Sequence, residues 1–164
     1  MCSVHRILAP TDMSDLANGA MNYAFDLARL YGSEPHVLHV VSSPRSVRAD
    51  MDSFDNTIPP ARPNMPLETV ISERTAWLRE YVREAFGDFT LKPVISVCVG
   101  TPAAEIIRYA KQASINLIVI GTHARGVVKR MFLGSTSKFV LEHVVCPVLM
   151  VPIAAISGNG TSMQ

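Results

Sequence analysis

A segment toward the carboxyl end of the chain, residues 121–138, combines the glycine, hydroxyl and basic residues that bind phosphate groups. Its glycines and hydroxyl residues include Gly121, Gly134, Ser135, Thr136 and Ser137. Its basic residues are Arg125, Lys129, Arg130 and Lys138. If a helix begins at the second of these glycines, its first N–H groups and its dipole would attract an anion. The same residues also fit an ordinary strand-to-helix loop with a serine cap and a solvated basic face.

One carboxylate, Asp12, follows the first apolar run of the chain after Pro10 and Thr11. It either contacts a ligand at the end of a strand or caps the helix that follows. No catalytic set of serine, histidine and aspartate, or of cysteine and histidine, stands out. The aspartates at positions 50, 52 and 55 have a calcium-loop spacing, but the loop's glycine and closing glutamate are absent. We therefore predict no catalytic residues and no metal site built from protein side chains.

Apolar runs of strand length alternate with helical patterns along the chain. The strand-like runs are residues 4–9, 36–41, 91–99, 117–120 and 146–151. Helical patterns begin near Ser14, Leu67, Pro102 and Ser135. This alternation predicts an α/β fold, an open five-stranded parallel sheet with helices on both faces and strand order 3-2-1-4-5, which is Rossmann-like. Pro93 in the third run predicts an edge position for that strand, because proline cannot donate to a ladder.

The predicted strand order determines where a ligand would bind. In open α/β sheets, ligands bind outside the carboxyl ends of the strands, where the strand order reverses. Here that point lies between the first and fourth strands, and Asp12, Val40 and Gly121 end three of the strands around it. They are far apart in the sequence, yet this topology brings them to one crevice. No GxGxxG run follows the first strand, so the usual dinucleotide site is not expected.

Length and composition limit the class of protein. The chain has 164 residues, of which 48% are hydrophobic, and a net charge of +1. These values predict one folded domain rather than a disordered chain, and the balanced charge predicts neither nucleic acid nor a membrane as a partner. Three widely separated cysteines and the lack of a leader-like start predict a cytoplasmic location. We expect a domain over residues 1–152 with a proline-rich loop at 42–66, and a disordered polar tail over residues 153–164.

Several stretches together resemble the universal stress protein family. They are ILAPTDMS at 7–14, HV at 39–40, GTPAAEII at 100–107, LIVIGTH at 117–123 with GS at 134–135, and CPVLMVP at 146–152. The resemblance covers residues 4–152. It implies the sheet order given above and a homodimer in which the last strands pair with each other. The residues of that strand are Val148, Leu149, Met150 and Val151.

The resemblance also implies an ATP site. ATP-binding members of the family carry the motif G-x2-G-x9-G-S/T, and here Gly121 matches its first glycine while Gly134 and Ser135 match its end. Ala124 replaces the middle glycine, and Gly126 is out of register. If the middle position needs a positive φ, alanine costs on the order of 1–2 kcal/mol, which is roughly a tenfold loss in affinity.

By the same resemblance, Asp12 and the backbone of Val40 meet adenine, and Pro10 and Thr11 shape the pocket. Ile120 and Gly121 lie near the ribose. The residues around the phosphates are His123, Ala124, Gly134, Ser135, Thr136 and Ser137. The ligand implied is ATP, with Mg²⁺.

The function that follows is an ATP-binding regulatory protein of the stress response, a homodimer with at most slow ATP hydrolysis. Ala124 leaves open an alternative, a dimeric interaction module of the same fold that binds no nucleotide. A third hypothesis is a small-molecule enzyme on this fold, such as an electron carrier or a nucleotide-dependent ligase. No motif favours it.

Overall fold

Strands and helices alternate in the order that the sequence predicts. A computed structural model describes residues 3–42, 66–86, 91–122 and 134–152. The strands are β1 (Arg6–Thr11), β2 (Glu34–Ser42), β3 (Val94–Gly100), β4 (Leu117–Thr122) and β5 (Val148–Pro152). The helices are α1 (Asp15–Tyr31), α2 (Leu67–Phe86), α3 (Pro102–Gln112) and α4 (Ser135–His143). The predicted proline-rich loop, except for its first and last residues, and the predicted tail lie outside the described residues.

The strands form one parallel sheet with the order β3-β2-β1-β4-β5. This confirms the predicted fold class and strand order. β3 is an edge strand, as Pro93 predicts, but the strand begins only at Val94, and Pro93 precedes it. A proline at that place removes no hydrogen bond from the ladder.

The carboxyl ends of three strands lie further along the chain than the apolar pattern predicts. β1 includes Pro10 and runs to Thr11. Alternation along β1 turns Pro10 toward β4, and because Pro10 has no N–H the ladder between these two strands ends at Leu8. β2 continues past Val40 to Ser42, and β4 continues past Gly121 to its next residue. Val40 and Gly121 therefore lie just inside their strands, and only Asp12 follows the end of its strand directly.

Helix α1 begins at the serine that the sequence predicts and ends at a glycine. Ser14 is its N-cap, and the Ser14 hydroxyl oxygen accepts a hydrogen bond from the Ala17 N–H. At the other end, Gly32 has φ 63° and its N–H donates to the Ala28 carbonyl. This left-handed conformation is one that glycine adopts without strain. The helix is thus fixed at both ends, and its start lies at the carboxyl edge of the sheet.

Two helices cover each face of the sheet. Buried side chains of α1 and α2 form one core with the strands, and the largest of them are Met21, Phe25, Leu78 and Val82. Buried side chains of α3 and α4 form the other core, and they include Ala103, Ile106, Ala110 and Val140. Alternate residues of each strand point into opposite cores, because successive side chains of a strand face opposite sides. None of the helices in the described part of the chain has the length and hydrophobicity needed to span a bilayer.

A polar network around the buried His36 lies toward the amino ends of β2 and β3, opposite the end where a ligand is expected. The His36 ring contacts the Tyr109 hydroxyl at Nδ1 (2.9 Å) and the Glu34 carboxylate at Nε2 (3.2 Å). The Ser96 hydroxyl lies 3.0 Å from that of Tyr109, and Arg6 Nε donates to Glu34 at 3.2 Å. A neutral imidazole with its proton on Nε2 satisfies every one of these contacts.

Acidification is expected to destabilise the fold through buried histidines. Burial lowers the pKa of His36 below its ordinary value of 6.5, against an opposing hydrogen bond with Glu34, and burial also lowers the pKa of His39. The unfolded chain therefore takes up these protons more readily. Their contribution to stability is complete above pH 6.5 and is lost as the pH falls from that value toward the lower folded pKa values.

Urea unfolding at about pH 7.5 and about pH 5.5 measures this loss. The free energy of unfolding should be lower at the acidic pH, and the difference should be smaller in His36→Gln. An equal difference in the parent and in His36→Gln would contradict the assignment to His36.

Candidate functional site

The carboxyl ends of β1 and β4 lie side by side at the place where the strand order reverses, which is the predicted crevice. The pairing of β1 with β4 ends at Leu8 opposite Ile118. The outer pairings continue further, β1 with β2 to Thr11 opposite His39, and β4 with β5 to Thr122. The ladder that joins the two halves of the sheet therefore ends at Leu8, because Pro10 has no N–H to continue it. This is the point of strand-order reversal at which such sheets bind ligands.

The carboxylate of Asp12 lies at this crevice, on the turn between β1 and α1. Asp12 is exposed. Its Oδ1 accepts hydrogen bonds from the Ser14 N–H (3.0 Å) and the Ser14 hydroxyl (2.6 Å). The helix cap is Ser14, so Asp12 is not the cap itself but holds the capping residue. Among the described residues, none donates a hydrogen bond to the second oxygen, Oδ2, and this oxygen remains available to a ligand.

The turn that carries Asp12 is held by its neighbours on both sides. The Met13 N–H donates to the Thr11 hydroxyl oxygen at 2.9 Å, and the Met13 side chain is buried in the core shared by α1 and α2. His39 Nδ1 lies 2.9 Å from the Thr11 carbonyl oxygen, which requires the proton to be on Nδ1. The Thr11 hydroxyl and the His39 ring are therefore both engaged within the protein. Their hydrogen bonds hold the backbone of the turn that carries Asp12.

Val40 lies beside Asp12, as the sequence predicts. Thr11 and His39 are partners in the β1–β2 register, and Asp12 and Val40 are the next residues of the two chains. Val40 is half-buried, and its other neighbour is Cys98 on β3. The last pair of β1 with β2 is Thr11 with His39, so Val40 lies one residue beyond that pair. Pro10, two residues before Asp12 in β1, is buried.

The start of α4 lies against the end of β4. The Ser137 hydroxyl donates to the Gly121 carbonyl at 3.3 Å, and Ser137 is buried. The N-cap is Gly134, which has no side chain with which to cap the helix, and the first turn has no acidic residue. The first-turn N–H groups have no acceptor within the helix. Unlike α1, which Ser14 caps, α4 begins at an N-cap without a side chain, and a helix N-terminus of this kind favours an anion.

Gly121 lies between the two parts of the site, the start of α1 with Asp12 and the start of α4 with Ser137. A Cβ atom at this position would lie 2.6 Å from the Leu16 side chain and 2.8 Å from the Leu16 carbonyl oxygen. Only a residue without a side chain allows the first turn of α1 to approach β4 this closely. Asp12 at the start of α1 and Ser137 at the start of α4 are thus both brought to the end of β4.

The remaining predicted site residues fall into two groups. Ile120 points into the core shared by α3 and α4, so only its backbone is near the crevice. Thr136 is half-buried and Ser135 is exposed in the first turn of α4. His123 and Ala124 lie outside the described residues, as does Gly126.

Sequence reasoning missed Thr122, the last residue of β4. Its side chain is buried, and in the described part of the chain its hydroxyl has no hydrogen-bond partner. Alternation along β4 places Thr122 on the same face as Ile118 and Ile120, which is the face that α4 covers. The alternation was visible in the sequence, but the missing partner was not.

Thr122→Val is expected to raise stability. A buried hydroxyl without a partner costs about 1–3 kcal/mol, so its replacement by a methyl group should raise Tm by roughly 3–10 °C. Differential scanning calorimetry measures the shift. A fall in Tm would show instead that the Thr122 hydroxyl is bonded by residues 123–133.

No activated nucleophile or metal site is found among the described residues. Burial, and next the Glu105 carboxylate, raise the pKa of Cys98 to about 11, so its thiol is protonated at neutral pH. Burial also raises the pKa of Cys146. Within residues 3–42, 66–86, 91–122 and 134–152, no group of three or more His, Cys, Asp or Glu residues is arranged to hold a metal ion. The geometry therefore suits a ligand with two different ends. The start of α4 can bind an anionic group, and the Asp12 carboxylate can accept a hydrogen bond from a donor group.

Comparison with known proteins identifies relatives along almost the whole chain. The model of the universal stress protein family matches residues 3–152. Universal stress protein MJ0531 of Methanocaldococcus jannaschii is 28% identical over 147 residues, which are 89% of this chain and 81% of that protein. Universal stress protein YxiE of Bacillus subtilis is 27% identical over 148 residues, 90% of this chain and 98% of the relative.

Solved structures share the fold. The structure of protein MJ0577, a universal stress protein of Methanocaldococcus jannaschii, has a TM-score of 0.66 and 26% identity, and the match covers 92% of this chain and 97% of that one. A universal stress protein in complex with cAMP has a TM-score of 0.62 at 17% identity, with 92% and 98% covered. One from Archaeoglobus fulgidus in complex with dAMP has a TM-score of 0.56 at 18% identity, again with 92% and 98% covered. The last two likenesses establish the fold.

Proposed function

Because the chain belongs to the universal stress protein family, we propose that it is a stress-response regulatory protein that binds an adenine nucleotide, ATP with Mg²⁺, in the crevice between β1 and β4. One observation carries the proposal. An exposed carboxylate with an available oxygen and a helix N-terminus whose N-cap has no side chain flank the same strand end, with Gly121 between them. This carboxylate and this helix start fit a single ligand that has a hydrogen-bond donor on a base at one end and an anionic phosphate at the other.

The two ends of the site have different chemistry. Asp12 Oδ2 is a charged acceptor that suits an amino group, and the Val40 backbone beside it can read the edge of the same base. The N–H groups at the start of α4, with Thr136 and Ser135 beside them, suit phosphate oxygens, and Mg²⁺ would be held by those phosphates. In two relatives of this fold the bound ligands are cAMP and dAMP. The support for this chain comes from its own residues.

Isothermal titration calorimetry with MgATP tests the proposal. We expect saturable heat with a Kd below about 1 mM and at least about tenfold weaker binding of MgGTP. Guanine has a carbonyl where adenine has an amino group, and a carboxylate at Asp12 repels a carbonyl. No heat with millimolar MgATP would contradict nucleotide binding. In that case Ala124→Gly decides whether the alternative applies, because a gain of binding would show that Ala124 removed it.

A regulatory role fits the site better than efficient catalysis. Phosphoryl transfer needs a positioned nucleophile, metal ligands and groups that stabilise charge. Asp12 is the carboxylate at the crevice, and its Oδ1 is already used to hold Ser14. We therefore propose at most slow hydrolysis of bound ATP. Turnover in a phosphate-release assay well above that of Asp12→Ala would favour an enzyme instead.

We also propose a homodimer formed through β5. Within the described residues β5 pairs only with β4, so its outer edge is open. Leu149 on this strand is 37% exposed and Val145 just before it is 93% exposed, whereas Val148 and Met150 are half-buried and Val151 is buried in its own core. An open edge with exposed apolar side chains is normally covered by a partner. The contact would therefore use the strand backbone, Leu149 and Val145.

Light scattering at micromolar concentration tests the dimer. We expect a dimer mass for the parent and a monomer mass for Leu149→Lys, because a charge directly at the edge opposes pairing of two strands. A monomeric parent would contradict the proposal.

We further propose that residues 1–152 form the domain, and that it acts in the cytoplasm.

A further inference from the structure

Helix α2 reaches the turn that carries Asp12 through one side chain, Tyr81. The Tyr81 hydroxyl donates to Asn18 Oδ1 at 2.7 Å and lies 3.5 Å from the Met13 carbonyl oxygen. The Asn18 N–H in turn donates to the Ser14 carbonyl at 2.9 Å. Tyr81 therefore contacts Met13, which precedes the capping residue Ser14, and Asn18, whose N–H is bonded to the Ser14 carbonyl.

This turn contains a residue that must be held in place. Met13 has φ 66°, a left-handed conformation in a residue that has a side chain. Such a conformation costs on the order of 1–2 kcal/mol and persists only where surrounding contacts impose it. Two contacts come from the chain itself, the bond of the Met13 N–H to Thr11 and the burial of the Met13 side chain. The third comes from Tyr81, on a different element.

The Tyr81 ring is itself held in position. It stacks on Trp77, one turn earlier in α2, with ring centroids 5.4 Å apart and planes at 17°. Both rings pack against the core shared by α1 and α2. The hydroxyl is thereby presented to α1 by a side chain with little freedom to move away.

We propose that Tyr81 is a positioning residue of the nucleotide site, which fixes the Asp12–Met13–Ser14 turn from α2 and so sets the affinity for the nucleotide. The inference rests on the proposed function, since Asp12 is the group through which Tyr81 acts. It makes α2, which supplies no ligand-contacting group of its own in this account, an element on which ligand affinity depends. A shift of α2 relative to α1 would withdraw the hydroxyl and loosen the carboxylate.

Tyr81→Phe and Tyr109→Phe form a matched pair. Each variant keeps the ring and removes one partly buried hydroxyl, but Tyr109 lies in the His36 network at the opposite end of the sheet. Amide hydrogen exchange without ligand should be faster at Met13 and Ser14 in Tyr81→Phe and unchanged there in Tyr109→Phe. MgATP binding should weaken about 2- to 10-fold in Tyr81→Phe, the equivalent of one neutral hydrogen bond, and stay within about twofold of the parent in Tyr109→Phe.

Amide exchange and MgATP affinity distinguish failure of the proposed function from failure of the inference about Tyr81. If the parent binds no MgATP, the proposed function fails, and the exchange measurement still decides whether Tyr81 holds the turn. Equal exchange at Met13 and Ser14 in both variants would overturn the inference. Faster exchange in Tyr81→Phe together with parental MgATP affinity would also overturn the inference. Tyr81 would then hold the turn, but its hold would not affect the affinity for the nucleotide.

Discussion

Asp12→Ala is expected to weaken MgATP binding about 10- to 100-fold. Hydrogen bonds to a charged group contribute about 1.5–3 kcal/mol, and this amount corresponds to the stated range of affinity. The substitution also removes the acceptor for the Ser14 N–H and hydroxyl, so the turn before α1 loosens. Calorimetric titration of the parent and the variant under identical conditions measures the effect.

Asp12→Asn separates the charge from the turn. Its side-chain oxygen can still accept from Ser14, so we expect near-parental Tm, whereas Asp12→Ala should lose some stability. The asparagine NH₂ group replaces the available carboxylate oxygen with a donor, which cannot accept from an amino group. Nucleotide binding should therefore fall in both variants. Parental affinity in Asp12→Ala would show that the carboxylate does not contact the ligand.

Gly121→Ala is expected to destabilise the fold and to damage the site together. The added methyl group would overlap the Leu16 side chain and its carbonyl oxygen, and the carbonyl belongs to the backbone of α1 and cannot rotate away. Overpacking of this kind typically costs about 1–3 kcal/mol, which is roughly 3–10 °C in Tm. Thermal unfolding gives the stability, and titration with MgATP gives the accompanying loss of affinity.

Gly134→Ala is the matched control for this substitution. Gly134 belongs to the same motif, but a Cβ atom there meets nothing within 4 Å, and its φ of −56° suits any residue. Alanine is a poorer N-cap than glycine, so we expect a cost of at most about 1 kcal/mol. If the two variants unfold at the same temperature, the contact between Gly121 and Leu16 is not what makes glycine necessary.

The fold was readable from the sequence because its signals are local. Alternating strand and helix patterns predicted the sheet, and Ser14 marked the start of α1 correctly. The strand ends were less accurate, because pairing with neighbours decides where a strand stops. Pro10 argues against a central strand by its residue type, yet it belongs to β1 because the pairing of β1 with β2 continues through Pro10 to Thr11.

Half of the candidate site could also be predicted, and the other half depends on tertiary contacts. Topology alone placed Asp12, Val40 and Gly121 at one crevice, because parallel strands share an edge. The contact of Gly121 with Leu16 and the bond from Tyr81 to Asn18 join residues far apart in the chain, and no periodicity or motif indicates them. The unpartnered Thr122 hydroxyl likewise becomes visible only when its neighbours are known.

The most direct test of the account is the change in backbone amide chemical shifts when MgATP is added to the protein. We expect the shifted amides to cluster in three places, the Asp12–Met13–Ser14 turn, the end of β2 at Val40, and Gly121 with the first turn of α4. The network of Glu34, His36 and Tyr109 at the opposite end of the sheet should stay unchanged. Spectra without saturable shifts, or shifts confined to that opposite end, would contradict nucleotide binding at the crevice.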